Sequence, residues 1–178
     1  MTIKEKSFKL NLFIMSAILT LSISCTTTNP PADTSSTSPG LTVSTLTTTS
    51  NGQYAPNNIV AIWVENSSGT FVKTLLVNAA QRKQDLTKWI SSSKGNITDA
   101  KTGATRSSHG IVTAVWNGTD TSGKVVANGQ YKVCMELTEN ASSGSYSTFN
   151  FTKGTAAETQ TPTKVSGFAS IGIKWLPL

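Results

Sequence analysis

The sequence predicts an all-β domain: a mainly antiparallel β-sandwich carrying one short helix. Two observations point there. Short runs of β-branched and aromatic residues recur from Ile59 onward, and clusters of Asn, Ser, Thr and Gly separate them at the density expected of strand-to-strand turns. About 125 residues from Tyr54 onward carry this pattern, enough for one domain with a modest core.

The elements follow in order. Residues 59–65 (Ile-Val-Ala-Ile-Trp-Val-Glu) form a strand that ends at the turn cluster Asn66-Ser67-Ser68-Gly69, and residues 71–76 are its hairpin partner. Residues 82–90 break the β pattern. Leu86, Trp89 and Ile90 lie at helical spacing there, which predicts a short helix, and a polar loop over residues 91–110 follows. Residues 111–116 are the third strand. The loop 117–124 and the turn Asn128-Gly129 lead to the fourth strand, residues 131–137. Residues 145–151 alternate Tyr146, Thr148 and Asn150 against Ser147, Phe149 and Phe151 as a fifth, and residues 168–176 make a sixth.

The first residues set an address. Lys4, Lys6 and Lys9 precede an almost uninterrupted apolar run over residues 10–23 that contains no charge. Such a run suits a signal peptide, residues 1–24, and falls short of the roughly 20 apolar residues a spanning helix needs. Leu21-Ser22-Ile23-Ser24-Cys25 resembles the bacterial lipobox, with Ser22 where the motif usually has an aliphatic residue. The resemblance implies a lipidated Cys25 and a protein anchored to the cell envelope outside the cytoplasm, in the periplasm or at the outer membrane. The alternative is ordinary secretion, with Cys25 near the cleavage site. Residues 25–52 are rich in Thr, Ser, Pro, Asn and Gly and read as a disordered tether. Its mean reach would be on the order of 30 Å. The folded domain is then residues 53–178.

Cysteine usage and charge narrow the function classes. With Cys25 lipidated only Cys134 is left, so no internal disulfide forms. Strand parity puts Cys134 on the face of Lys132 and Glu136, opposite Tyr131, Val133, Met135 and Leu137, as a structural cysteine and not a redox thiol. The chain is +6 overall; past the signal peptide it has 12 basic and 8 acidic residues, scattered with no basic stripe. Nucleic acid is not an expected partner.

Three segments carry a family resemblance. Tyr54-Ala55-Pro56 leads into Ala61-Ile62-Trp63-Val64-Glu65 and Ser68-Gly69-Thr70-Phe71-Val72-Lys73-Thr74-Leu75. The second segment is Asp99-Ala100-Lys101-Thr102-Gly103-Ala104-Thr105-Arg106. The third is Trp116-Asn117-Gly118-Thr119-Asp120-Thr121-Ser122-Gly123-Lys124 with Gly129-Gln130-Tyr131. Together they resemble the bacterial periplasmic family designated domain of unknown function 2271. The third segment alone is also similar to the Ig-like module of flagellar-hook capping proteins, which implies an Ig-like sandwich.

The second segment has a further likeness. Asp99-x-x-Thr102-Gly103-Ala104-Thr105 resembles the acceptor motif for covalent flavinylation, in which a flavin transferase esterifies FMN through its phosphate to the last Thr. Each residue type suits that chemistry. Thr105 offers the hydroxyl, and Gly103 and Ala104 keep the approach open. Asp99 can anchor the loop or a metal-bound transition state in the transferase, and Arg106 can neutralise the attached phosphate. A polar turn in which Asp99 and Thr102 cap backbone amides is the plainer alternative. Trp63, Trp89, Trp116 and Tyr54 are the aromatics available to a flavin ring, though each also suits the core. The family resemblance implies a flavin transferase and a membrane reductase as partners.

The remaining candidates are weaker. His109, the sole histidine, reads as a solvated loop residue close to Thr105. One His and no Cys pair leave no ligand set for zinc or an iron–sulfur cluster, so no metal is expected. Asn117 and Asp120 suit an Asx-turn better than a calcium site. Nucleophilic triads, phosphate loops and spaced carboxylate pairs are lacking from the pattern. Two classes remain: a tethered electron carrier with FMN on Thr105, or a cofactor-free Ig-like binding or structural module of the envelope. Neither is a turnover enzyme.

Overall fold

The computed structural model describes residues 38–178. The expected signal peptide, Cys25 and the first part of the expected tether lie outside them.

Nine strands build two sheets. In chain order they are β1 (Gly40–Thr47), β2 (Ile59–Asn66), β3 (Phe71–Asn78), β4 (Lys101–Gly103), β5 (Ile111–Trp116), β6 (Gly129–Thr138), β7 (Ser145–Lys153), β8 (Glu158–Gln160) and β9 (Phe168–Leu176). A 3-10 turn at Lys83–Asp85 and helix α1 (Thr87–Ser93) stand between β3 and β4. One sheet has the order β5-β1-β9-β8 and the other β4-β3-β2-β6-β7. All pairings are antiparallel except β3–β4, which is parallel. The six expected strands and the short helix are all present.

The first strand corrects the domain boundary. Residues 40–47 belong to the stretch expected to be a disordered tether, yet β1 lies between β5 and β9 in its sheet. The physical reason is the double character of threonine. It counts as polar in a composition, but it is β-branched and fits a pleated sheet. Leu41, Val43, Thr45 and Thr47 alternate inward and are buried. The Thr45 hydroxyl donates to the Ala169 carbonyl at 3.0 Å, and that of Thr47 to the Gly110 carbonyl at 3.1 Å, so neither buried hydroxyl is left unsatisfied. The folded part therefore begins at least 13 residues before the expected boundary of residue 53.

Two apolar layers result. Between the sheets, Leu41, Val43, Trp116, Ile173 and Trp175 face Val60, Ile62, Val133, Met135 and Phe151. Outside the five-stranded sheet a second cluster joins Ile59, Ala61, Trp63, Val77 and Cys134 to Leu86 and Trp89 from the helical segment. Strand β2 is thus covered on both faces, which explains its unbroken apolar run. Parity at β6 is as expected: Tyr131, Val133, Met135 and Leu137 point between the sheets and Cys134 points under the helix.

Helix α1 has only seven residues and no side-chain cap of its own. Glu136, fully buried on β6, supplies one across space: its carboxylate accepts from the Lys88 N–H at 3.1 Å and the Trp89 N–H at 2.8 Å. These are the second and third amides of the helix, the donors an N-cap normally satisfies. Trp89 then fills the second core, and its indole N–H donates to the Thr74 hydroxyl at 3.0 Å. The helical segment is fixed from β6 and β3, and with it the residues just before it, Ala80 to Arg82.

Candidate functional site

The expected acceptor segment runs along the edge of the five-stranded sheet. Thr102 and Gly103 sit in β4, opposite Val77 and Asn78 of β3. A Cβ at Gly103 would stand 2.5 Å from the Asn78 side-chain oxygen, so glycine leaves room for the Asn78 amide against this edge. Beyond β4 the chain is pinned twice. The Thr105 hydroxyl accepts from the Gln81 N–H at 3.0 Å and donates to the Gln81 carbonyl at 3.3 Å. The Arg106 and Asn58 backbones bond reciprocally at 2.9 Å. Before these anchors Thr102, Gly103 and Ala104 are exposed, while the anchoring Thr105 and Arg106 are half-buried. Thr105 is therefore a surface residue, held in place, with its hydroxyl bonded to surface backbone and not to the core.

Asp99 begins this segment in a left-handed conformation, with φ 55°. Its carboxylate accepts from Lys73 Nζ at 3.2 Å. Lys73 is buried, and its ammonium also donates to the Thr119 hydroxyl at 3.2 Å and the Asp120 carbonyl at 3.3 Å. The Asp99 side chain itself is 69 % exposed. An ion pair so open to solvent contributes little, and Lys73 keeps its other partners. Asp99→Asn should accordingly lower stability by less than about 1 kcal/mol in thermal denaturation. A loss several times larger would mean that Lys73 depends on this carboxylate.

Thr105 and Ala104 form a ridge between two clefts. One, of about 420 Å³, is lined by Tyr54, Asn57, Ala80, Gln81, Arg82, Ala104 and Thr105. The other, of about 340 Å³, is lined by Asn78, Ala104, Thr105, Arg106, Ser107 and Ser108. In the first, the Arg82 guanidinium lies 4.0 Å above the Tyr54 ring centre, a cation–π arrangement. Its Nη1 donates to the Asn140 carbonyl at 3.1 Å. Asp85 is 3.9 Å away, too far for a hydrogen bond, and Arg82 Nη2 and Arg106 Nε are buried without a partner. Among the four aromatics available from the sequence, Trp63, Trp89 and Trp116 are core residues and only Tyr54 borders either of the two clefts beside Thr105.

Three expectations from the sequence meet different outcomes here. His109 is not a solvated loop residue: its Nε2 lies 2.6 Å from Glu139 Oε1, and the Glu139 side chain is wholly buried. The two are 30 residues apart in sequence, and only the fold brings them together. Asp120 does make an Asx-turn, its Oδ1 accepting from the Ser122 N–H at 2.8 Å and the Lys124 N–H at 3.1 Å. Burial, with the Glu65 carboxylate nearby, pushes the Cys134 thiol up to about 12, which suits a structural cysteine and not a redox thiol. Among the described residues no three His, Cys, Asp or Glu side chains converge as a metal site would require, and no helix is long and apolar enough to cross a membrane.

With the fold and this edge defined, the comparison with known families is decisive. A family profile described as "predicted periplasmic protein (DUF2271)" matches residues 40–172. The chain belongs to this family. The match begins at β1, which agrees with the corrected domain boundary, and takes in the segment from Asp99 to Arg106. The family description supports a location outside the cytoplasm. No curated protein and no solved structure matches the chain.

Proposed function

We propose that this member of the DUF2271 family is an extracytoplasmic electron carrier that bears FMN esterified through its phosphate to Thr105, and that it is tethered to the envelope through a lipidated Cys25. The observation that carries the reading is the placement of Thr105: a hydroxyl at the surface, on a pinned ridge, between two clefts with an arginine in each. The residues fit the group. Arg82 and Arg106 line the clefts on either side of a position that would gain a phosphodiester anion. Gly103 and Ala104 leave the approach open, and Tyr54 offers an aromatic surface.

The modification is a phosphoryl transfer. The Thr105 hydroxyl attacks the flavin-side phosphorus of an activated flavin phosphate, the class to which flavin dinucleotides belong. The Oγ1–P bond forms, the phosphoanhydride bond breaks, and the nucleoside monophosphate leaves with the electron pair. The hydroxyl proton passes to a base on the transferase, so the bond to the Gln81 carbonyl is given up while the Gln81 N–H can still donate to the ester oxygen. The flavin supplies the redox chemistry; the protein holds and positions it.

The test is the intact mass of the exported protein, co-expressed with a flavin transferase. The expected result is a gain of FMN less one water, mapped to the peptide containing Thr105. No gain, with a known acceptor modified in parallel, would overturn the reading and leave a cofactor-free envelope module.

A further inference from the structure

An ester bond fixes only one end of FMN, and the geometry points to where the rest of it goes. We propose that the cleft bordered by Tyr54, Gln81 and Arg82 seats the flavin, its ring packed against the Tyr54–Arg82 pair and its phosphate facing the Arg82 guanidinium. This rests on the covalent flavin reading above. Three observations choose this cleft over its neighbour. First, the Thr105 hydroxyl is bonded to the Gln81 backbone, 3.0 Å from its nitrogen, and Gln81 lines this cleft and not the neighbour. Second, the cleft holds the aromatic side chain and is the roomier of the two, about 420 Å³ against about 340 Å³, while the neighbour is lined by small and polar residues around Arg106. Third, Arg82 is pre-set. It sits in a left-handed conformation, with φ 60°, is anchored at Nη1 by the Asn140 carbonyl, and lies over the Tyr54 ring that borders the cleft.

The consequences are physical. A ring packed on tyrosine loses fluorescence, because the phenol can give an electron to the excited flavin, and it is shielded from solutes. A fixed cation beside the flavin favours its reduced, more negative forms and raises its potential. Neither effect exists for a flavin that dangles from the ridge into water.

The experiment uses the flavinylated, full-length protein. Emission and iodide quenching are compared for the native protein, the same sample unfolded in guanidinium, and three variants. The native flavin should be several-fold dimmer and less accessible to iodide than the unfolded one. Tyr54→Phe should brighten it without opening it to iodide, since the ring stays but the electron donor goes. Tyr54→Leu should do both. Arg82→Gln should move the midpoint potential to a more negative value. A native flavin as bright and as accessible as the unfolded one would overturn the proposal, and that comparison needs no variant to fold. A protein that gains no flavin mass would instead overturn the reading beneath it, so the two failures are distinguishable.

Discussion

Thr105→Ala should abolish flavin incorporation completely and leave the fold standing. The two halves of that expectation have separate causes. Without the hydroxyl there is no oxygen to form the phosphoester, so the loss is all-or-none. The structural cost is small because the hydroxyl bonds only to Gln81 backbone groups at the surface, which water can satisfy when it is gone. A hydrogen bond of this kind contributes about 1 kcal/mol, a shift of a few degrees in melting midpoint for a domain this size. Thr105→Ser, which keeps the oxygen, should still accept the cofactor. Intact mass and a melting curve on the three proteins check this. A mass gain that persists in Thr105→Ala would place the attachment elsewhere and sink the assignment.

The neighbouring residues sharpen what the motif means. Gly103 has a local role whether or not a flavin is attached, because a side chain there would push the Asn78 amide aside. Asp99 likewise has a partner in Lys73. A sheet edge with these constraints could hold such a sequence for structural reasons alone. Ala104 and Thr105 are different: they are the ridge itself, and the Thr105 hydroxyl's structural role is confined to two bonds to the exposed Gln81 backbone. The distinction tells the experimenter where to cut. Substitutions at Gly103 disturb the Asn78 contact as well as the approach, whereas Thr105→Ala costs the fold only the bonds to Gln81.

This also shows what the sequence could reveal and what it hid. Strands β2, β3, β5, β6, β7 and β9 were legible because each has a clear apolar pattern bounded by turn residues. Strand β1 was hidden by threonine, whose hydroxyl lowers apparent hydrophobicity while its branched Cβ favours a strand. Strands β4 and β8 have three residues each, too few for any periodicity to register. The segment from Asp99 to Arg106, proposed as the acceptor, could be seen because it is contiguous. The cleft beside it could not, since Tyr54, Arg82 and Thr105 come from three separated stretches and meet only through the sheet edge and the helical segment. His109 and Glu139 were beyond reach for the same reason, and the expectation of a solvated histidine failed because nothing local announces a carboxylate 30 residues away.

That carboxylate should govern the acid stability of the domain. Glu139 has four partners besides His109, all on the strap before Tyr54: the hydroxyls of Thr49 and Ser50, at 3.0 Å each, and the N–H groups of Ser50, at 2.7 Å, and Gly52, at 3.2 Å. Burial alone would raise its pKa, but the hydrogen bonds from His109, Ser50 and Gly52 outweigh burial and hold it at about 2. The folded value is below the unfolded one, so the stabilisation is fully present above the unfolded carboxylate pKa, near 4.5, and is lost as pH falls toward 2. A difference of that size corresponds to about 3 kcal/mol. Glu136, whose pKa burial raises, contributes with the opposite sign, so the wild-type curve alone would blend the two. Glu139→Gln separates them. An amide cannot reproduce the charge, and its NH₂ would face donors, so the variant should lose about 3 kcal/mol at pH 7 and lose much of the wild type's added sensitivity between pH 4.5 and 2. Denaturant midpoints across that window read both quantities. Parallel curves for the two proteins would show that Glu139 is not the titrating group. The same substitution should reach the cleft, because the Tyr54 N–H donates to the Glu139 carbonyl at 2.9 Å and the adjacent Asn140 carbonyl holds Arg82. The buried carboxylate fastens the strap, the strap carries the ring, and a loosened strap should release a bound flavin into water before the sandwich itself unfolds.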